Sequence, residues 1–179
     1  MPEVFVGIGS NIEPELNLRR ALAALRERFG AVTASSVYRS RAFGFEGDDF
    51  LNMAASFTTA ASPAQVDEVL SAIEYAGGRV RAPERFGPRT LDLDLLIYGC
   101  CVDPVQRLPR DDVGAYLFVL GPLAEIAPGL VHPIGGYRIA DRWAAVRDRA
   151  ALERVAGSSE LVDRRPGSSP ADAATAVDR

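Results

Sequence analysis

Apolar residues recur along the chain in two alternating rhythms. Val4-Phe-Val-Gly-Ile8 is a short apolar run closed by the turn cluster Gly9-Ser10-Asn11, which predicts a first, central strand. Leu18, Leu22, Leu25 and Phe29 follow at helical spacing, with Pro14 near the start and Gly30 at the stop. Residues 31–39 are rich in β-branched side chains and predict a second strand; Phe50 to Thr58 predicts a third. Ser62-Pro63-Ala64-Gln65 is a capping box with proline in the first helical position. Val66, Val69, Leu70 and Ile73 then supply the buried stripe of a second helix, ended by Gly77-Gly78. Leu91-Asp92-Leu93-Asp94-Leu95 alternates strictly and predicts a fourth strand running to Tyr98-Gly99. Leu117 to Ile126 predicts a short buried helix, and 139–155 a terminal helix. The order βαββαβ, with two helical crossovers, points to an α+β fold: a ferredoxin-like α/β sandwich with a mainly antiparallel sheet.

The polar positions of the fourth strand carry the chemistry. Asp92 and Asp94 fall on one face, with Cα atoms about 6.5–7 Å apart. Leu91, Leu93 and Leu95 fall on the other. Two ionised carboxylates so placed repel, so one pKa should rise unless a cation sits between them. Hard divalent cations with oxygen ligands, Mg²⁺ above all, suit such a pair. Immediately upstream lie Arg79, Arg81, Arg85 and Arg89, in a segment that Pro83, Gly87 and Pro88 keep from being a regular helix. Guanidinium forks beside a metal-binding acid pair are what a polyphosphate requires. Either feature alone also fits a solvated protein surface; their adjacency favours a site.

Composition narrows the field. The net charge is −4, which argues against nucleic acid or a membrane surface as the main partner. All 20 basic residues are arginine, which excludes a Walker A lysine and a Schiff-base lysine. Cys100 and Cys101 are adjacent, without metal-ligand spacing, and read as reduced thiols. No apolar run approaches the ~18 residues of a membrane span, and no leader is read at the N-terminus. The expected setting is cytoplasmic. The Gly/Ser/Pro/Asp/Ala-rich stretch 157–179 is expected to be a disordered tail, leaving 1–156 as one domain. Phe43 and Phe45 in the 40–50 loop suggest a lid over a flat ligand, or core packing.

The run Gly78 to Gly99, with Arg79-Val-Arg81, Glu84-Arg-Phe-Gly-Pro-Arg-Thr90 and Leu91-Asp-Leu-Asp-Leu95, resembles the signature of the 6-hydroxymethyl-7,8-dihydropterin pyrophosphokinase family. Gly7-Ile-Gly-Ser-Asn11, Tyr38-Arg-Ser40, Phe50-Leu-Asn52 and Phe118 to Pro128 extend the resemblance. It implies the same ferredoxin-like fold and a pyrophosphokinase of folate synthesis. Such an enzyme transfers the terminal pyrophosphoryl unit of ATP to the hydroxymethyl group of a dihydropterin and releases AMP. The resemblance implies two Mg²⁺ ions on Asp92 and Asp94, with Arg79 and Arg89 stabilising transferring and leaving oxygens. Glu74, Arg81, Arg85, Arg107 and Arg110 would hold ATP. Phe86 and Phe118 would stack the pterin; Asn52 and the backbone near Ser40 and Phe43 would read its edge, and Phe50 would line the site. The expected partners are therefore ATP and a dihydropterin, bound by a monomer.

The sequence departs from that family in three places. Arg110 follows Pro109 where the family usually has histidine, and Tyr116 stands where it has arginine. Ser40-Arg41-Ala42 replaces the usual Thr-x-Pro, and the lone histidine, His132, lies elsewhere. A paralogue acting on another small alcohol, or a non-catalytic module that binds pterin or nucleotide, stays open on these residues.

Overall fold

The computed structural model describes residues 1–44, 46–78, 89–149, 151–157 and 161. Strand β1 (Glu3–Ser10) leads into helix α1 (Pro14–Phe29). Two short strands follow, β2 (Thr33–Ala34) and β3 (Val37–Ser40), then β4 (Phe50–Thr58), α2 (Pro63–Ala76) and β5 (Asp92–Tyr98). The remainder comprises α3 (Asp112–Ala115), α4 (Leu117–Ile126), α5 (Ile139–Val146), a 3₁₀ turn (Arg147–Arg149) and β6 (Glu153–Ala156). The sheet order is β5-β1-β4-β3-β6, with β2 also on β4. The strand pairs are antiparallel. The path β5-β1-β4-β3 is the expected ferredoxin-like arrangement.

Alternation within the strands divides the core. Val4, Val6, Ile8, Met53, Leu93 and Leu95 turn toward α1 and α2, meeting Leu18, Leu22, Leu25, Val66 and Leu70. Phe5, Ala54, Leu96 and Ile97 join Val113, Leu120, Leu123 and Ile139 of the later helices. Each fully buried side chain of this size stabilises the fold by about 1.5–3 kcal/mol relative to exposure. Leu96 sits at a bulge: the β1–β5 register shifts between Phe5 and Val6. α5 approaches α4 at Gly121, where an added Cβ would stand 3.0 Å from the Trp143 ring.

The capping box forms as predicted: Ser62 Oγ accepts from Gln65 N and Gln65 Oε1 accepts from Ser62 N. Two expectations change. The stretch 31–39 is not one strand, because Ser35 and Ser36 divert its hydrogen bonds. Ser35 Oγ accepts from Ala54 N at 2.9 Å, and Ser36 donates its backbone N–H and its hydroxyl to Glu125. Nor does a single helix run over 139–155. It ends in the exposed turn Arg147–Arg149, which offers the core nothing apolar. Glu153–Ala156 instead pairs with the otherwise open edge of β3, fixed by Arg154 Nε donating to Ser36 Oγ at 2.7 Å.

The tail beyond Gly157 lies outside the described residues except for Leu161. That side chain is 2% exposed in the α1/α2 core, and its carbonyl accepts from Arg19 Nε at 2.9 Å. No helix among the described residues is long and apolar enough to cross a membrane.

Candidate active site

Two turns bring the acids into place. β1 ends at Ser10-Asn11, and both residues grip the segment that enters β5. Ser10 Oγ donates to the Thr90 carbonyl at 2.6 Å. Asn11 N donates to the Arg89 carbonyl at 3.0 Å, and Asn11 Oδ1 accepts from Arg89 N at 2.7 Å. On the outer edge of β5, the Leu93 N–H goes to Glu74 Oε1 at 2.7 Å and the Leu96 carbonyl accepts from Arg110 N at 2.8 Å. The strand is thereby held from both sides, and its alternation presents Asp92 and Asp94 together on one face.

Both carboxylates already have guanidinium neighbours. Arg89 Nη1 pairs with Asp92 Oδ2. Arg110 Nη2 lies 2.7 Å from Asp94 Oδ1, and its Nε donates to Asp112 Oδ2 at 2.5 Å. Burial, and then the Asp92 charge, push the Asp94 carboxyl up to about 7 despite Arg110. Burial opposes the Arg110 charge, but Asp94 and Asp112 more than compensate and raise its pKa. The rise expected for one member of the acid pair is therefore present at Asp94.

Beside the acids, β1 carries no side chains on this face. Gly9 pairs with Asp92 on one side and Asn52 on the other; Gly7 pairs with Asp94 and Ala54. The acid pair and Asn52 therefore stand about 10 Å apart, two strand spacings, across a bare strip of backbone. A Cβ at Gly9 would come 3.3 Å from Asn52 Oδ1. Asn52 is buried and donates from Nδ2 to Ser40 Oγ at 3.0 Å. Half-buried Phe50 lies one step along the same face, paired with Ser40. Phe118, at the start of α4, stacks on Tyr116 with centroids 5.1 Å apart, and Phe43 meets Tyr116 edge-on at 5.2 Å.

The structure thus gathers Glu74, Arg89, Asp92, Asp94 and Arg110 at one end, and Ser40, Phe50 and Asn52 at the other, with Phe43 and Phe118 gathered around Tyr116. Arg107 is exposed at the tip of the 103–108 turn, with φ of 55°, and makes no ion pair among the described residues. Arg79, Arg81, Arg85, Phe86 and Phe45 lie outside the described residues. His132 belongs to a separate hairpin, where its ring stacks on Tyr137 at 5.0 Å and Nδ1 accepts from Gly135 N. Tyr38 stays protonated at neutral pH, since burial and its hydrogen bond to Glu125 push it up to about 12; its hydroxyl donates to Glu125 Oε2 at 2.8 Å.

Sequence reasoning passed over Ser10, Asn11, Asp112 and Tyr116 as working parts. Asp112 lies two residues from its partner Arg110, but the Arg110–Asp94 contact that gives the pair its place in the site is made only in the fold.

The donor set fits a hard divalent ion. Two carboxylates share one face, and one of them is under electrostatic stress that a cation would relieve. Among the described residues no group of three or more His, Cys, Asp or Glu side chains forms a metal cage. A two-carboxylate site leaves coordination positions for water and for a ligand's phosphate oxygens, as Mg²⁺ prefers.

Fold and site together define a ferredoxin-like α+β domain with an acid–guanidinium cluster on the edge strand β5 and, across β1, the Asn52–Ser40 pair and Phe50 on β4 and β3. The chain belongs to the 7,8-dihydro-6-hydroxymethylpterin-pyrophosphokinase family, whose model matches residues 5–128. It is 45% identical over 161 residues to the 2-amino-4-hydroxy-6-hydroxymethyldihydropteridine pyrophosphokinase of Synechocystis, covering 87% of this chain and 82% of that one. The like-named protein of Methylorubrum extorquens is 38% identical over 164 residues, covering 87% and 99%. In three dimensions the chain is similar to the Plasmodium falciparum HPPK-DHPS structure, with a TM-score of 0.64 at 11% identity. That superposition covers 83% of this chain and 45% of the other, and supports the fold alone.

Proposed function

We propose that this protein transfers the pyrophosphoryl unit of ATP to the hydroxymethyl oxygen of 6-hydroxymethyl-7,8-dihydropterin, releasing AMP, as a step of folate synthesis. The carrying observation is the joint placement of Asp92 and Asp94 with two guanidinium groups at one end of a side-chain-free strip and the Ser40–Asn52 pair at the other. The names of the curated relatives support the substrates.

In this reading the hydroxyl oxygen attacks the β-phosphorus, the bond to the α-phosphate oxygen breaks, and AMP departs with that oxygen. Such a step depends on alignment and charge neutralisation more than on covalent participation by the protein. Asp92 and Asp94 would hold the divalent ions, two in number by family resemblance. Bound there, Mg²⁺ supplies charge neutralisation on the phosphate oxygens and lowers the pKa of the attacking hydroxyl. Arg89, carried on the segment clamped by Ser10 and Asn11, would meet negative charge beside Asp92, a role its pairing there supports. Arg110 would do the same beside Asp94.

Arg79, Arg81 and Arg85 are assigned to the phosphates by resemblance, as are Arg107 and, for the nucleotide, Glu74. Asn52 offers an amide to a lactam-type edge, with Ser40 fixing its orientation. Phe50, Phe43, Phe86 and Phe118 would provide apolar faces for a flat ring. The proposed setting is a cytoplasmic monomer.

Product analysis tests the proposal. Purified protein given ATP, Mg²⁺ and the dihydropterin should form AMP and a pyrophosphorylated pterin in equal amounts. Formation of ADP, or no consumption of ATP while both ligands bind, would contradict it.

A further inference from the structure

Arg110 is held at three points. Its backbone N–H is bonded to the Leu96 carbonyl at 2.8 Å, its Nε to Asp112 Oδ2 at 2.5 Å, and its Nη2 to Asp94 Oδ1 at 2.7 Å. The first two contacts leave the terminal nitrogens as the part that can let go. The third engages an oxygen that the proposed function gives to a divalent ion. A guanidinium hydrogen-bonded to that oxygen and a metal ion about 2.1 Å from it compete for the same lone pairs and repel one another.

Resting on the phosphate-and-metal reading above, we propose that Arg110 is a tethered stand-in cation. It neutralises Asp94 until a divalent ion arrives, then turns its terminal nitrogens to the nucleotide phosphates, while Asp112 acts as the positioning residue that keeps hold of Nε.

Arginine is suited to this exchange and lysine is not. The guanidinium has a separate Nε edge and four terminal N–H donors, so one anchor survives while another is surrendered. An ammonium is a single point of charge and cannot keep Asp112 while leaving Asp94 in the same way. The side chain of Arg110 is only partly exposed, as are those of Asp94 and Asp112, so the triad sits at the rim of the site where an incoming phosphate can reach it. The exchange also couples the two ligands. The released guanidinium finds its new partner only on a phosphate, so metal and nucleotide favour each other's binding.

Titration calorimetry from about pH 7 to about pH 9, read on the plateau where Asp94 is ionised in parent and variant alike, reads this directly. The titrants are Mn²⁺ alone, a non-hydrolysable α,β-methylene ATP analogue alone, and the analogue with Mn²⁺ present. Arg110→Met should bind Mn²⁺ alone roughly tenfold more tightly than the parent, since the competing cation is gone. It should also lose most of the mutual enhancement between Mn²⁺ and the analogue. Arg110→Lys, which keeps the charge, should fail to restore that enhancement. Asp112→Asn should raise the KM for ATP with a smaller effect on kcat.

Unchanged or weaker Mn²⁺ binding by folded Arg110→Met would overturn the proposal. So would full rescue by Arg110→Lys, because the second anchor would then be dispensable. If the parent protein itself fails to bind Mn²⁺, the metal reading falls and this inference falls with it. Mn²⁺ binding by the parent that is indifferent to Arg110 sinks the exchange alone.

Discussion

Glu74, in the last turn of α2, accepts the backbone N–H of Leu93 at 2.7 Å. Leu93 lies between Asp92 and Asp94 on the edge strand, so this carboxylate caps the outer side of β5 at the residue separating the two acids. A negative charge in the last turn opposes the helix dipole by a few tenths of a kcal/mol; the strand contact gives it a reason to be there. Glu74→Ala leaves a buried N–H without this acceptor and should cost about 1–3 kcal/mol. Urea denaturation measures the loss. Turnover should fall as well, because Asp92 and Asp94 lose their support.

The raised pKa of Asp94 sets a pH dependence. Its ordinary value is 3.8 and its folded value about 7. Between those values the folded protein binds more protons at this site than the unfolded chain, so stability declines as pH rises through that window and levels off above it. Metal-free protein should show this slope in denaturation curves taken between about pH 4 and pH 7. Asp94→Asn should remove the Asp94 component of it. Saturating Mg²⁺ should also flatten it if the ion binds the ionised carboxylate, because metal and proton compete for Asp94.

Gly9 keeps the strip between acids and amide clear. An added Cβ stands 3.3 Å from Asn52 Oδ1, close enough to displace the amide that Ser40 orients. Gly9→Ala should therefore raise the KM for the pterin several-fold, with a smaller change in the KM for ATP. Steady-state kinetics with each substrate varied separately makes the comparison. Equal effects on both would point to a general distortion of β1 instead.

Much of this architecture could be read from the chain because local signals and tertiary demands agreed. Phe50–Thr58 is a strand by composition and lies at the centre of the sheet. Ser62 to Gln65 specifies a helix start within four residues. The alternation at 91–95 put the acids on one face and the leucines on the other, and the structure keeps both. Where the reading failed, a distant partner decided. Glu153–Ala156 continues a helical pattern, yet the open edge of β3 draws it into the sheet. Ser35 and Ser36 look like strand residues until Ala54 and Glu125 claim their hydrogen bonds. Asp112 acquires a role only through Arg110, and Tyr116 only through the Phe118 and Phe43 rings. Pairings made by folding leave no period in the sequence.

The central claim is that Asp92 and Asp94 hold the divalent ions through which a triphosphate is positioned and split. Rates of AMP formation, measured against Mg²⁺ concentration for the parent and for Asp94→Asn, test it most directly. The account predicts turnover that vanishes without Mg²⁺, and a loss on the order of a thousandfold in the variant at saturating Mg²⁺. It also predicts thermal stability close to the parent's, since the substitution relieves carboxylate repulsion. A variant that turns over at the parent's rate, or parent activity indifferent to Mg²⁺, would contradict it.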